Sequence, residues 1–178
     1  MEIAAASEAS GMLAGLNWAA PTWDLFILLF FVAAGVLYGF TLGRARVLFV
    51  LMSLYIGLAI STNLPFINEE SSQRLGFGSV SFLQIAVFLV CVVGVFLLFA
   101  RVGALSTFSS GAGIVSVIIF SFLQVGLLIS TILTFLPAEA MASLGPFTKT
   151  LFASDNTRFL WMVAPLVAMF FMKKGSSE

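Results

Sequence analysis

Side chains able to do chemistry are few in this chain, and they stand singly. Asn63, Gln84 and Gln124 are the strongest polar groups inside its long apolar stretches. A polar group in hydrocarbon seeks a partner. The simplest role for Gln124, near the middle of its stretch, is therefore a hydrogen bond between helices. The competing role is a polar lining for a solute path. Cys91, the one cysteine, lies beside Val92 and Val93. In that setting it reads as a small buried hydrophobe rather than a nucleophile. Asp24 opens an apolar run, where an acid faces the positive end of a helix dipole and serves as a cap. The chain has no His, so the commonest general base and the commonest metal ligand are missing. A single Cys excludes an intrachain disulfide and a Cys-x-x-Cys redox pair. No nucleophile–base pair, metal cluster, glycine-rich phosphate loop or cofactor box occurs. The sequence therefore predicts no catalytic, cofactor-binding or metal-binding residue, and a protein that is not an enzyme.

The chain's composition says what surrounds these groups. Of 178 residues, 61% are apolar and 9% charged, against roughly 45–50% and about 25% in soluble domains. Such a chain needs lipid as solvent. Eight basic residues balance eight acidic ones, so there is no basic patch for nucleic acid. No charge falls inside the apolar stretches. Proton pumps, ion-coupled carriers and voltage sensors need one there, which argues against all three.

The elements follow from the length of each apolar run, since about 20 residues cross a ~30 Å hydrocarbon core. The expected fold is an all-α integral membrane protein, a bundle of four to five transmembrane helices within residues 23–174. Residues 1–22 precede it as a tail or a short interfacial helix; they lack the positive start and apolar middle of a signal peptide. Spans are expected at about 24–42, 47–64, 79–100, 112–136 and 159–172. The last is short and holds Pro165. It reads as a fifth span, with Arg158 and Lys173 snorkelling at its edges and Trp161 suited to an interface; an interfacial helix is the alternative. Gly43–Arg46 reads as a tight connection that sets the first two spans antiparallel. Residues 67–80 read as a solvated loop, and 138–157 as an amphipathic segment on the membrane surface.

Small residues recur every fourth position at Gly35, Gly39 and Gly43, and again at Ser53, Gly57 and Ser61. Such stripes let helix backbones approach closely in lipid, where dispersion drives association. The two stripes are expected to meet each other, or one of them to meet another subunit. Loop charge places Arg44, Arg46 and Arg101, with Lys173 and Lys174 if the fifth span crosses, on the cytoplasmic side. The N-terminus is then outside and the C-terminus inside.

The first two spans resemble the colicin V production protein family of bacterial inner-membrane proteins. The matching features are the acid Asp24 opening the first span, the run Gly35-Val-Leu-Tyr-Gly39-Phe40, and Arg44 at a short turn. The passage Gly103–Gly126, rich in small residues, is similar in character. Two features depart from the family pattern: Tyr38 stands where a base usually precedes the glycine–aromatic pair, and the acid lies closer to the glycines. The resemblance implies a location in the bacterial cytoplasmic membrane and a role in toxin export or envelope maintenance. The first expectation is thus a non-enzymatic structural or export-assisting envelope component, with the lipid bilayer and either a second copy or another envelope protein as partners. The second is a small oligomeric channel or transporter subunit for an uncharged solute, its path lined by Gln124, Asn63 and Gly113.

Overall fold

The computed structural model describes residues 23–103 and 114–172, apart from some side chains within helices. Every regular element among the described residues is helical. In chain order these are α1 (Trp23–Asn63), α2 (Glu69–Arg74), α3 (Val80–Arg101), α4 (Ile114–Phe135), α5 (Ala138–Ala142), α6 (Pro146–Thr148), a π-helical turn (Lys149–Ala153) and α7 (Asp155–Met172). The chain is an all-α membrane protein. Three segments among the described residues are long and apolar enough to cross a bilayer: Arg46–Asn63, Val80–Arg101 and Ser116–Phe135.

The connection expected at Gly43–Arg46 is not a loop. Helix runs unbroken from Trp23 to Asn63, 41 residues. The residues after Gly43 supply the physical reason. Arg, Ala and Leu are strong helix formers, one internal Gly costs only about 1 kcal/mol, and no proline or cap residue stops the helix there. The helix nevertheless does not run straight. The Phe31 ring lies 5.9 Å from the Trp161 ring, while the Tyr55 hydroxyl bonds to the carbonyl of the next residue, Met162. A straight helix would separate positions 31 and 55 by about 36 Å, more than these side chains can bridge. α1 therefore bends between them, and both halves reach α7.

The C-terminal half of α1 packs antiparallel to α3. Phe49 meets Phe99 with ring centroids 5.2 Å apart, and Gly57 lies against Val92. Arg46 and Arg101 thus sit at one end of this pair, and Asn63 and Val80 at the other. The core joins Val47, Leu51 and Leu54 of α1 to Phe88 and Val92 of α3 and to Val117, Phe120 and Leu127 of α4. On α3, Phe82, Val90, Val93, Leu97 and Leu98 point outward, as a lipid-facing helix requires. The loop between α1 and α3 has ordinary aqueous chemistry. Asn68 caps α2 through the Ser71 N–H, Ser79 caps α3, and Gly76 and Gly78 take positive φ values that other residues resist.

Residues 138–157 do not lie wholly on the surface as expected. α5 is a surface turn with no buried residue. The chain then dips inward, and Thr148 and Phe152 are fully buried. The Ser130 hydroxyl donates to the Phe152 carbonyl at 2.8 Å, and Ser130 lies about one and a half turns inside the end of α4. Irregular backbone at such depth survives only where protein buries it and side chains satisfy it.

Candidate functional site

α7 returns along α4. Asp155 and Arg158 stand near Ser130–Phe135, and Trp161 lies over Gly126, so the two helices run antiparallel. Gly126 is the seat of the indole: a Cβ there would overlap the Trp161 ring. Trp161 stacks on Phe152 at 5.5 Å and meets Phe31 edge-on. Phe31 also meets Phe122 and Phe152 edge-on. The indole N–H donates to the Leu151 carbonyl at 2.8 Å. That carbonyl lies in the last turn of the π-helix, where the chain turns extended at Ser154 and supplies no further helical N–H. Pro165, buried in α7, has no N–H for the Trp161 carbonyl and disturbs the helix around it. One residue on, the Met162 carbonyl accepts from Tyr55 at 2.5 Å.

Between α1, α4 and the start of α7 is a cleft of about 470 Å³, within the usual range for small-molecule sites. Leu58, Leu127, Phe135, Phe159 and Met162 make its walls largely apolar. Thr62, Ser130, Thr131 and Thr134 contribute hydroxyls, but three of these already serve the backbone. Thr62 donates to Leu58, Ser130 to Phe152 and Thr134 to Ser130. Arg158 is the cation of this cleft. Its side chain is 29% exposed, and one terminal nitrogen stands 3.7 Å from Asp155, whose carboxylate is 99% exposed. Its Nε is buried and has no hydrogen-bond partner among the described residues.

The residues singled out from sequence lie elsewhere. Ser53 and Ser61 are buried, and each donates back into its own helix, to Phe49 and Leu58. Gly57 meets α3: a Cβ there would stand 2.7 Å from Val92 Cγ2 and 3.2 Å from Val92 N. Gly35, Gly39, Gly43 and Arg44 fall within α1, but their surroundings lie outside the described residues, as do Lys173, Lys174 and Gly113. Asn63 bonds the Ala59 carbonyl at the exposed end of α1. Gln84 is half-buried near the start of α3, and Gln124 is buried on α4. None of these three amides lines the cleft. Arg46 and Arg101 are exposed at their shared end. Cys91 is half-buried and free.

Sequence reasoning assigned Trp161 and Arg158 to the membrane interface. The structure turns both inward, toward Gly126 and the cleft. The available signal was Gly126, a bare position that makes room for a ring, with Pro165 inside the helix that carries Trp161. Fold and cleft together define the class: an all-α membrane protein with a largely apolar cleft that holds Arg158. No family model, curated protein or solved structure matches the chain.

Proposed function

We propose that this chain is a non-enzymatic multi-pass protein of the bacterial cytoplasmic membrane, a structural or export-assisting component of the envelope like the colicin V production proteins it resembles. The supporting observation is where its buried hydroxyls go. Ser53, Ser61 and Ser121 each donate within their own helix, and Ser130 ties α4 to the Phe152 carbonyl. These four hydroxyls are spent on backbone carbonyls, as structural groups in a helix bundle are. The outward apolar side chains of α3 suit lipid or a protein partner, either a second copy or another envelope component.

The test is reconstitution in liposomes. A bilayer that stays tight to small uncharged solutes supports this reading. Solute-specific flux overturns it in favour of a channel or carrier subunit.

In this reading Arg46 and Arg101 face the cytoplasm, and α7 crosses as a further span. Its antiparallel course beside α4 supports the crossing, because an interfacial helix would lie across the bundle. Reporter fusions after Gly103 should read cytoplasmic and those near Ser72 periplasmic; the reverse pattern sinks the orientation. A fusion at Ser177 should read cytoplasmic, and a periplasmic signal there removes the last span.

A further inference from the structure

We infer that the cleft between α1, α4 and α7 binds one anionic phospholipid, with the headgroup phosphate on Arg158 and an acyl chain against Leu58, Leu127, Phe135 and Met162.

Three observations carry this. The first is the setting of the cation. Arginine in or near a bilayer keeps its stem in apolar surroundings and needs anionic or carbonyl partners for its five donors. Arg158 has a buried Nε with no partner among the described residues. Its contact to Asp155 is long, at 3.7 Å, and that carboxylate is almost wholly in water, so the ion pair is weak. The guanidinium is therefore left with donors that suit a phosphate, which it can grip through two nitrogens at once.

The second is the chemistry of the walls. Five large apolar side chains line the cleft, and three of its four hydroxyls already bond backbone carbonyls. A polar solute finds few free partners there, whereas a hydrocarbon chain needs none.

The third is depth. Arg158 sits in the first turn of α7, level with the last turns of α4, where Ser130–Phe135 end a span. With Trp161 over Gly126, Arg158 stands about level with Ser130, about one and a half turns inside the end of the span. From there a long guanidinium stem snorkels to the headgroups, and Leu127 lies about a turn deeper. An anionic head at Arg158 therefore leads its chain inward along the cleft. Asp155, the acid at the cleft, is the element set against an anion; its near-complete exposure lets water screen it.

The test uses the full chain in mild detergent, with native mass spectrometry and thermal melts as readouts. Phosphatidylglycerol is compared with phosphatidylcholine of the same chains and with inorganic phosphate. The wild-type protein should retain one phosphatidylglycerol and melt higher in its presence. Neither phosphatidylcholine nor inorganic phosphate should do the same. Arg158→Gln should weaken phosphatidylglycerol binding about tenfold or more, as expected for loss of a charged hydrogen-bonding partner, and Arg158→Lys should recover part of it. Thr134→Phe keeps the charge and fills the cleft from its exposed rim; it should also lose the lipid. Arg101→Gln, at the far end, should bind as the parent does. Equal binding of both lipids, a response to inorganic phosphate alone, or unchanged phosphatidylglycerol binding in a folded Arg158→Gln or Thr134→Phe protein each overturns the proposal.

Discussion

The seam between α1 and α3 and the joint between α4 and α7 hold helices together by different means. At the seam Gly57 sits against Val92, Phe49 against Phe99, and Ser53 and Ser61 turn their hydroxyls back into their own helix. The joint uses aromatic rings and side-chain bonds to carbonyls: Trp161 to Leu151, Ser130 to Phe152 and Tyr55 to Met162. The difference follows the regularity of the backbone. α3 is unbroken, so its amides are satisfied internally and only close packing is needed. The end of the π-helical turn leaves carbonyls at membrane depth, Pro165 disturbs the turn of α7 that carries the Met162 carbonyl, and neighbouring elements supply donors to both. Polar side chains thus gather where the helix is faulty.

Removing Trp161 tests this contrast with the largest expected effect. Trp161→Ala leaves a ring-sized void among Phe31, Gly126 and Phe152 and strips the Leu151 carbonyl of its donor. Truncations of this kind cost about 3–5 kcal/mol, which should appear as a large drop in melting temperature in detergent. Gly126→Val acts on the same joint from the other side, because its side chain would occupy the place of the indole. A melt within a degree or two of the parent for either variant means the ring does not organise the joint.

At the seam, Gly57→Leu should cost about 1–3 kcal/mol by overpacking. Gly57→Ala is the sharper probe. Its Cβ meets Val92 Cγ2, a movable atom, but also Val92 N, which is backbone. The Val92→Ala change frees the first contact alone, so the Gly57→Ala/Val92→Ala pair should recover only part of the loss. Full recovery would show that the seam yields at side chains and that backbone approach is not what holds it.

These two regions differed in how much the sequence revealed. α3 and α4 were legible almost to their ends, because long apolar runs bounded by Ser79, Arg101 and Pro137 leave little choice. The segments at 79–100 and 112–136 became Val80–Arg101 and Ile114–Phe135. The Gly43–Arg46 connection was misread because two arginines look like a solvated turn, while their helix propensity favours continuation. The joint was illegible for another reason. The dip of residues 146–153 and the burial of Trp161 depend on contacts between positions far apart in sequence, such as Ser130 with Phe152. Periodicity reports which face of a helix is apolar, and an uninterrupted apolar run has no such face. The cleft arginine was visible as a charge at a helix edge; its inward setting was not.

Within the joint, Ser130→Ala should cost roughly 0.6–1.7 kcal/mol, the range for one hydrogen bond between membrane segments. Its effect should fall on the inward segment, seen as faster amide exchange at residues 146–153 with α3 unchanged. Uniform exchange across the chain would mean that the bond is not what seats that segment.

The smallest effect should come from Tyr55→Phe, and it ties the contrast to a single proline. The substitution removes one oxygen atom and keeps the ring, so only the bond to the Met162 carbonyl is lost. Taken alone it should cost about 0.6 kcal/mol, near the average for such bonds in membrane bundles. Its meaning comes from a second change. Pro165→Ala restores an N–H that can reach the Trp161 carbonyl and removes the ring that disturbs this turn. In that background the helix serves its own carbonyls, and the Tyr55 hydroxyl has less to contribute. A double-mutant cycle should therefore give a coupling comparable to the bond itself, with Tyr55→Phe close to silent once Pro165 is gone. If Tyr55→Phe costs the same with and without Pro165, the hydroxyl is not compensating for a broken helix. Side-chain bonding at this joint then has some cause other than backbone irregularity, and the contrast with the dry seam loses its explanation at this position.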